Sequence, residues 1–333
     1  VPGLDDLLGF VFRAVDVAPA YEDDRCLVVK RGRSACRACL DACPHDAVRI
    51  GRRVEIDAVD CTGCGLCVQA CPSQALEASP RYEPGTSIRC SKVPGEAQSV
   101  LCLARLSPTD VLRLGGRHDE VTLVHGECEG CAIGSAAVPA VVNEVARDAA
   151  ALASARGRPL SVHVEAKTRF DGDRSPDRVS RRSLLTGGLR NAQRSASAAL
   201  EPLERLFPAP KTGGERVDLP AELTKRYYVL ELAGLAADVN VPWRLPHVAD
   251  GCILCPSCTR ACPTDAFSRD LHADPAVLYL EPERCVGCDA CVDACPVRVI
   301  TMVDAAPWGE VSGGREVAYE ADPDRRAPGS QPR

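Results

Sequence analysis

Apolar and polar positions alternate most clearly in the middle of the chain. Residues 99–104 (SVLCLA), Glu120–His125 (EVTLVH) and 160–165 are short apolar runs of strand type. Between the first two, Ser107-Pro108-Thr109-Asp110 predicts a helix start, with Ser as N-cap and Pro at the first helical position. Val138, Val141, Val142, Val145, Ala149 and Leu152 recur at helical spacing and predict one apolar face. Strand and helix in alternation over 85–167 read as a small α/β domain. Residues 219–235 predict an amphipathic helix with Leu223, Tyr227 and Leu230 on one side. Four Cys-Pro pairs are each followed by a stretch that can turn helical: HDAVRI, SQALEA, TDAFSR and VRVITM. From Pro307 on, Gly, Pro and charge dominate, and a loose tail is expected.

Composition changes this picture in one respect. A chain of 333 residues suits two or three domains, yet aromatics make up only 4% and there is one Met, so large apolar cores are scarce. The 20 cysteines are the candidates to compensate. Sixteen of them fall in runs that end in Cys-Pro, a spacing that serves metal thiolates and has no use in a disulfide scaffold. The net charge of −6 argues against a general nucleic-acid binder. The first residues lack a basic, apolar secretory signal, and no run of eighteen apolar residues occurs, so a cytoplasmic protein without direct membrane insertion is expected. No dinucleotide fingerprint, Walker loop, H-E-x-x-H or G-x-S-x-G is present, which favours an electron-transfer subunit over a catalyst.

The cysteines arrive in three blocks, Cys26 to Cys71, Cys90 to Cys131 and Cys252 to Cys295, the last two separated by 120 residues without any. CTGCGLCVQACP at 61–72 echoes CVGCDACVDACP at 285–296. A [4Fe–4S] cluster takes three thiolates from a C-x2-C-x2-C loop and a fourth from a distant Cys-Pro, which belongs to the other run of the pair. The C-terminal block fits as it stands. Cys252, Cys255 and Cys258 pair with Cys295, and Cys285, Cys288 and Cys291 with Cys262. In the N-terminal block Cys61, Cys64 and Cys67 pair with Cys43, while Cys36 and Cys39 pair with Cys71. The expected third cysteine would stand at position 33, which is Arg33; Cys26 is the candidate, returned to the cluster by a longer hairpin over 27–35. A three-cysteine cluster or an empty half-site is the alternative.

On these sixteen cysteines the chain resembles the bacterial two-[4Fe–4S] ferredoxin family, twice over. The resemblance implies an α+β chain, with two (βαβ)2 ferredoxin modules at 1–80 and 246–305 flanking the α/β domain. A partly helical basic connector at 168–245 and a tail at 306–333 complete the expected layout. It also implies four [4Fe–4S] clusters and one-electron transfer.

Cys90, Cys102, Cys128 and Cys131 form a further candidate metal site, with Cys102 expected in a strand and the last two just past another. Loops at the carboxyl ends of strands are where an open α/β sheet keeps its functional groups. VTLVHGECEGCAIG at 121–134 resembles the delta subunit of methyl-viologen-reducing hydrogenases, which implies a [2Fe–2S] cluster. The spacing also loosely resembles thioredoxin-like [2Fe–2S] ferredoxins, with the closing pair one residue closer. An all-thiolate zinc site and a reactive thiol pair are the alternatives. His125 is either a Rieske-like ligand or a strand-end histidine bonded to backbone.

Residues 178–200 carry five Arg and no acid, and Ser180–Leu185 (SRRSLL) has the look of a twin-arginine signal placed internally without an apolar follower. It resembles the same motif in accessory ferredoxins of periplasmic nitrate reductase systems, which implies a docking segment; a solvated Arg-rich face is the plain reading. The expected partner is a cytoplasmic oxidoreductase with a flavin, molybdenum or nickel–iron centre. A catalytic or bifurcating thiol/disulfide centre in the α/β domain and an accessory maturation ferredoxin are the competing functions.

Overall fold

A computed structural model describes residues 17–167 and 216–321. In chain order the elements of the first part are β1 Ala20–Tyr21, α1 Leu27–Arg31, α2 Ala38–Asp41, β2 Val48–Ile50, β3 Val54–Ile56, α3 Leu66–Ala70, β4 Leu76–Glu77, β5 Ser87–Cys90, β6 Ser99–Val100, α4 Pro108–Gly115, β7 Glu120–His125, α5 Val138–Ala155 and β8 Ser161–Ala166. The second part holds α6 Ala221–Glu231, β9 Asn240–Val241, β10 Leu245–Val248, α7 Ser257–Ala261, β11 Phe267–Asp270, β12 Val277–Leu280, α8 Ala290–Ala294, β13 Ile300–Val303, β14 Ala306–Pro307, α9 Trp308–Ser312 and β15 Glu316–Glu320.

The two cysteine-rich ends are built alike. In the first, β1 pairs antiparallel with β4 and β2 with β3; in the second, β10 pairs with β13 and β11 with β12. The stretches after each Cys-Pro are strands (β2, β4, β11, β13), whereas the helical turns precede them (α2, α3, α7, α8), the reverse of what the sequence pattern suggested. The residue before proline is pushed out of the helical region, so each helical turn ends at or just before its cysteine. Cys71, Cys262 and Cys295 close theirs in extended conformation. Three residues on, Asp46, Gln74, Asp265 and Arg298 all adopt a left-handed conformation with φ between 51° and 53°, which turns the chain into the strand.

The middle unit is a four-stranded parallel sheet in the order β6-β5-β7-β8. Its strands, α4 and α5 stand where the apolar pattern predicts them. The Ser107 side chain accepts the Asp110 N–H and Asp110 accepts the Ser107 N–H, closing a capping box. One departure matters: only Ser99–Val100 is strand, and Cys102 lies beyond it, leading into a 3-10 turn over Leu103–Arg105.

The expected connector and tail are more integrated than their composition suggests. Leu223 and Leu230 of α6, with Val241, Trp243, Leu245, Trp308 and Val311, are buried in the same apolar core as Ile88, Leu123, Val142 and Leu152 of the middle unit. Tyr227 packs edge-on against Trp243. The expected tail contributes β15, which pairs with β12. The SRRSLL segment lies outside the described residues. Among the described residues no helix is long and apolar enough to cross a membrane.

Candidate metal centres

All 20 cysteines are described and all are free thiols. They gather into five sets of four. Cys43, Cys61, Cys64 and Cys67 line one hollow of about 350 Å³, and Cys262, Cys285, Cys288 and Cys291 line another of about 300 Å³. Cys90, Cys102, Cys128 and Cys131 line a third of about 320 Å³. Cys26 and Cys71 both stand close enough to Cys36 and Cys39 to repel their thiolate forms. Cys252 is likewise within reach of Cys255 and Cys295, and Cys258 of Cys252 and Cys255.

The local backbone explains why these residues can face one centre. Within the loops, the N–H two residues beyond a cysteine donates to its sulfur: Ala38 to Cys36, Gly63 to Cys61, Leu66 to Cys64, Gly287 to Cys285, Ala290 to Cys288. The central site repeats the device, with Ala104 donating to Cys102 and Ile133 to Cys131. Such donors favour an anionic sulfur, the form that binds iron. Two of the remote cysteines carry further donors. The Ala75 N–H reaches Cys71 and the Ala266 N–H reaches Cys262, each at 3.3 Å, and the Ser73 and Thr264 hydroxyls lie 3.7 Å from the same two sulfurs.

Opposing this, burial pushes the Cys39, Cys67, Cys102, Cys288 and Cys291 thiols up to about 12, with repulsion from neighbouring thiolates adding to it. Cys255 moves the other way because the Ser257 hydroxyl bonds its sulfur. Buried thiols with costly negative charge, clustered in fours with N–H groups aimed at them, are what a cation-rich inorganic centre would relieve. The residues therefore fit iron–sulfur clusters. Among the described residues no three His, Cys, Asp or Glu side chains converge as a single metal ion requires; the central sulfurs surround a hollow instead.

Cys26 reaches its set by a helix, not the expected hairpin: α1 and a short loop bridge it to Cys36. Its backbone (φ −77°, ψ 126°) closes a 3-10 turn over Asp23–Arg25, and Cys285 (φ −77°, ψ 121°) closes one over Pro282–Arg284. The Glu22 N–H donates to Ala75 O and the Glu281 N–H to Ala266 O, both at 2.9 Å. Cys26 thus occupies the place in its module that Cys285 occupies in the other. The signal in the sequence is EDDRC at 22–26 against EPERC at 281–285.

His125 keeps to its strand end, with Nδ1 2.8 Å from Gly126 O and 3.8 Å from the Cys128 sulfur. The sequence pattern did not single out Thr62, His45 or Arg105, which tie the first module to the central site. Thr62 donates to Ile133 O at 2.6 Å and His45 Nε2 meets the same oxygen at 2.9 Å. On the other side the 3-10 turn after Cys102 lies directly on the 61–67 loop. A Cβ on Gly65 (φ 87°) would stand 2.6 Å from Ala104 O, so only glycine permits the approach.

The 4Fe-4S dicluster domain family matches the chain at residues 32–75 and 251–309, the first match beginning after Cys26. No curated protein and no solved structure matches the chain, and the resemblance of 121–134 to a hydrogenase delta subunit finds no support there. With a ferredoxin-type dicluster domain at two places in a mixed helix-and-strand chain, this is an iron–sulfur protein of electron transport.

Proposed function

We propose that the chain relays single electrons through four [4Fe–4S] clusters and a central [2Fe–2S] cluster, each held by one set of four cysteines. One-electron transfer is the chemistry such clusters supply. The cysteine sets would be ligands in the groupings above, including Cys26, and the two ends would be (βαβ)2 ferredoxin modules. All four central sulfurs line one hollow, as the sulfurs of two dicluster sites do, and do not converge on a single point, which supports a polynuclear centre there over zinc.

The observation that carries the reading is that the sets neighbour one another in a single row. Cys102 of the central set neighbours Cys64. Cys67 neighbours Cys39 across the first module. Cys36 and Cys288 both pack against the buried cluster of Leu27, Ala261 and Ala290, where the two modules meet. Lys30–Asp265 and Arg31–Asp293 ion pairs flank that junction. Cys291 neighbours Cys258 across the second module. At the far end Ile253 and Val297, beside the ligands Cys252 and Cys295, are exposed. An oxidoreductase partner with a flavin, molybdenum or nickel–iron centre could exchange electrons there. The excess of nine acids over four Lys or Arg between Pro246 and Asp304 would steer it through a basic face.

Coulometric reduction of anaerobically prepared protein tests the proposal. Uptake of about five electrons per chain is expected. Uptake of none, by folded protein, refutes it.

A further inference from the structure

Arg105 is 9% exposed and sits on the 3-10 turn that follows Cys102. Its Nη1 donates to Val17 O at 2.8 Å and to Gly63 O at 2.9 Å. Four thiols bear on its charge: Cys61, Cys64 and Cys67 on one side and Cys102 on the other. Among the described residues no carboxylate lies within ion-pair distance of it. Two other arginines of the fold are treated differently. Arg25, also buried, ends on the Glu77 carboxylate, and Arg244 reaches both Asp289 and Asp304.

A guanidinium cannot shed its proton, and a buried charge without a counter-ion is too costly to keep for packing alone. Among the described residues, the anions near enough to answer it are thiolates and whatever inorganic centre they would hold. The cation stands where the 61–67 loop and the central site meet. Gly63 and Gly65 allow this, because a Cβ on Gly63 would lie 2.9 Å from the guanidinium itself.

We propose that Arg105 is a tuning residue for electron exchange between the central site and the Cys43/Cys61/Cys64/Cys67 site, raising the reduction potential of both. This rests on both sites holding iron–sulfur clusters. Reduction adds negative charge, and a fixed positive charge held in a buried, low-dielectric position favours the reduced state of each site it faces. The effect is local: the Cys26/Cys36/Cys39/Cys71 set lies across the first module and the other two sets in the second module. Arg105 thereby makes this pair of sites the easiest in the row to reduce relative to their own ligation.

The test compares R105Q and R105K in full-length, anaerobically loaded protein by EPR-monitored redox titration. Both variants keep a donor for the Val17 and Gly63 carbonyls, and only R105K keeps the charge. In R105Q the central and neighbouring signals are expected to shift to lower potential, so that less than half of each is reduced at its wild-type midpoint. In R105K they should return most of the way, and the other three signals should not move in either variant. Equal shifts in R105Q and R105K, a common shift of all five signals, or no shift would overturn the proposal. Loss of iron from both variants would also overturn it, in favour of a structural role. Wild-type protein without iron would sink the relay reading itself, before the variants are compared.

Discussion

Removing the Thr264 hydroxyl isolates one ingredient of cluster potential. Thr264 is fully buried and its Oγ1 lies 3.7 Å from the Cys262 sulfur. Valine keeps its shape and leaves the Arg284 bond to the Thr264 carbonyl intact. Ser73 plays the same part for Cys71. By contrast, His45 and Val297 stand at the equivalent positions after Cys43 and Cys295 and provide no hydroxyl. A hydrogen bond to a charged group contributes about 1.5–3 kcal/mol. At this long O···S distance, roughly 0.5–1 kcal/mol of that would depend on the cluster's extra electron. Since 59 mV corresponds to a tenfold change for one electron, Thr264→Val should lower one potential by about 20–45 mV. Ser73→Ala should lower a different one by a similar amount, and the double variant both. On the proposed relay, EPR-monitored titration would read four [4Fe–4S] signals together, with the two hydroxyl-free clusters as internal controls. If both substitutions leave every midpoint within about 10 mV, or move all four equally, hydrogen bonding to the remote thiolates does not set these potentials.

Other consequences are as direct. Cys26→Ala should remove one reduced-state signal and about four iron atoms per chain; unchanged iron would return Cys26 to a bystander. Gly65→Ala should destabilise the fold by about 2 kcal/mol or more, since φ of 87° and a 2.6 Å approach to Ala104 O are both unfavourable for a Cβ, and denaturant melts would register it. Arg25→Met, which removes the ion pair to the partly exposed Glu77 and leaves its bond from the Ala221 N–H, should cost about 1.5–3 kcal/mol by the same assay. Iron-free protein should lose stability as pH rises from the ordinary thiol value of 9.0 toward about 12. In that window the buried thiols hold protons that the unfolded chain has already released, and flat denaturation midpoints across it would contradict the burial of these sulfurs.

Much of the grouping of the cysteines was legible because it is written in short, local spacings. Cys252 through Cys295 could be grouped from the chain alone, and the central four lie together at the carboxyl ends of parallel strands, as the alternation of apolar runs implied. Local elements were harder. The segments after each Cys-Pro have helix-forming residues, yet the hairpin register and the left-handed residue three positions on make them strands. The hairpin expected after Cys26 is a helix because Leu27 and Val28 are buried, Leu27 in the seam between modules and Val28 in the first module's core, a demand that no local pattern states. The residues 216–245 and 307–320 looked like connector and tail from composition. Their few large side chains, Trp243, Leu230 and Trp308, complete a core whose other half lies far back in the chain, at residues 64–160. Arg105 was invisible for the same reason, since its meaning depends on which loop folds over it.

Iron, sulfide and zinc analysis of anaerobically purified protein, combined with EPR of the reduced state, addresses the central claim most directly. The account predicts about 18 iron and about 18 sulfide per chain, no zinc, and signals from interacting clusters. A folded, colourless protein without iron would contradict the relay altogether. About 16 iron with one zinc would contradict the central cluster alone.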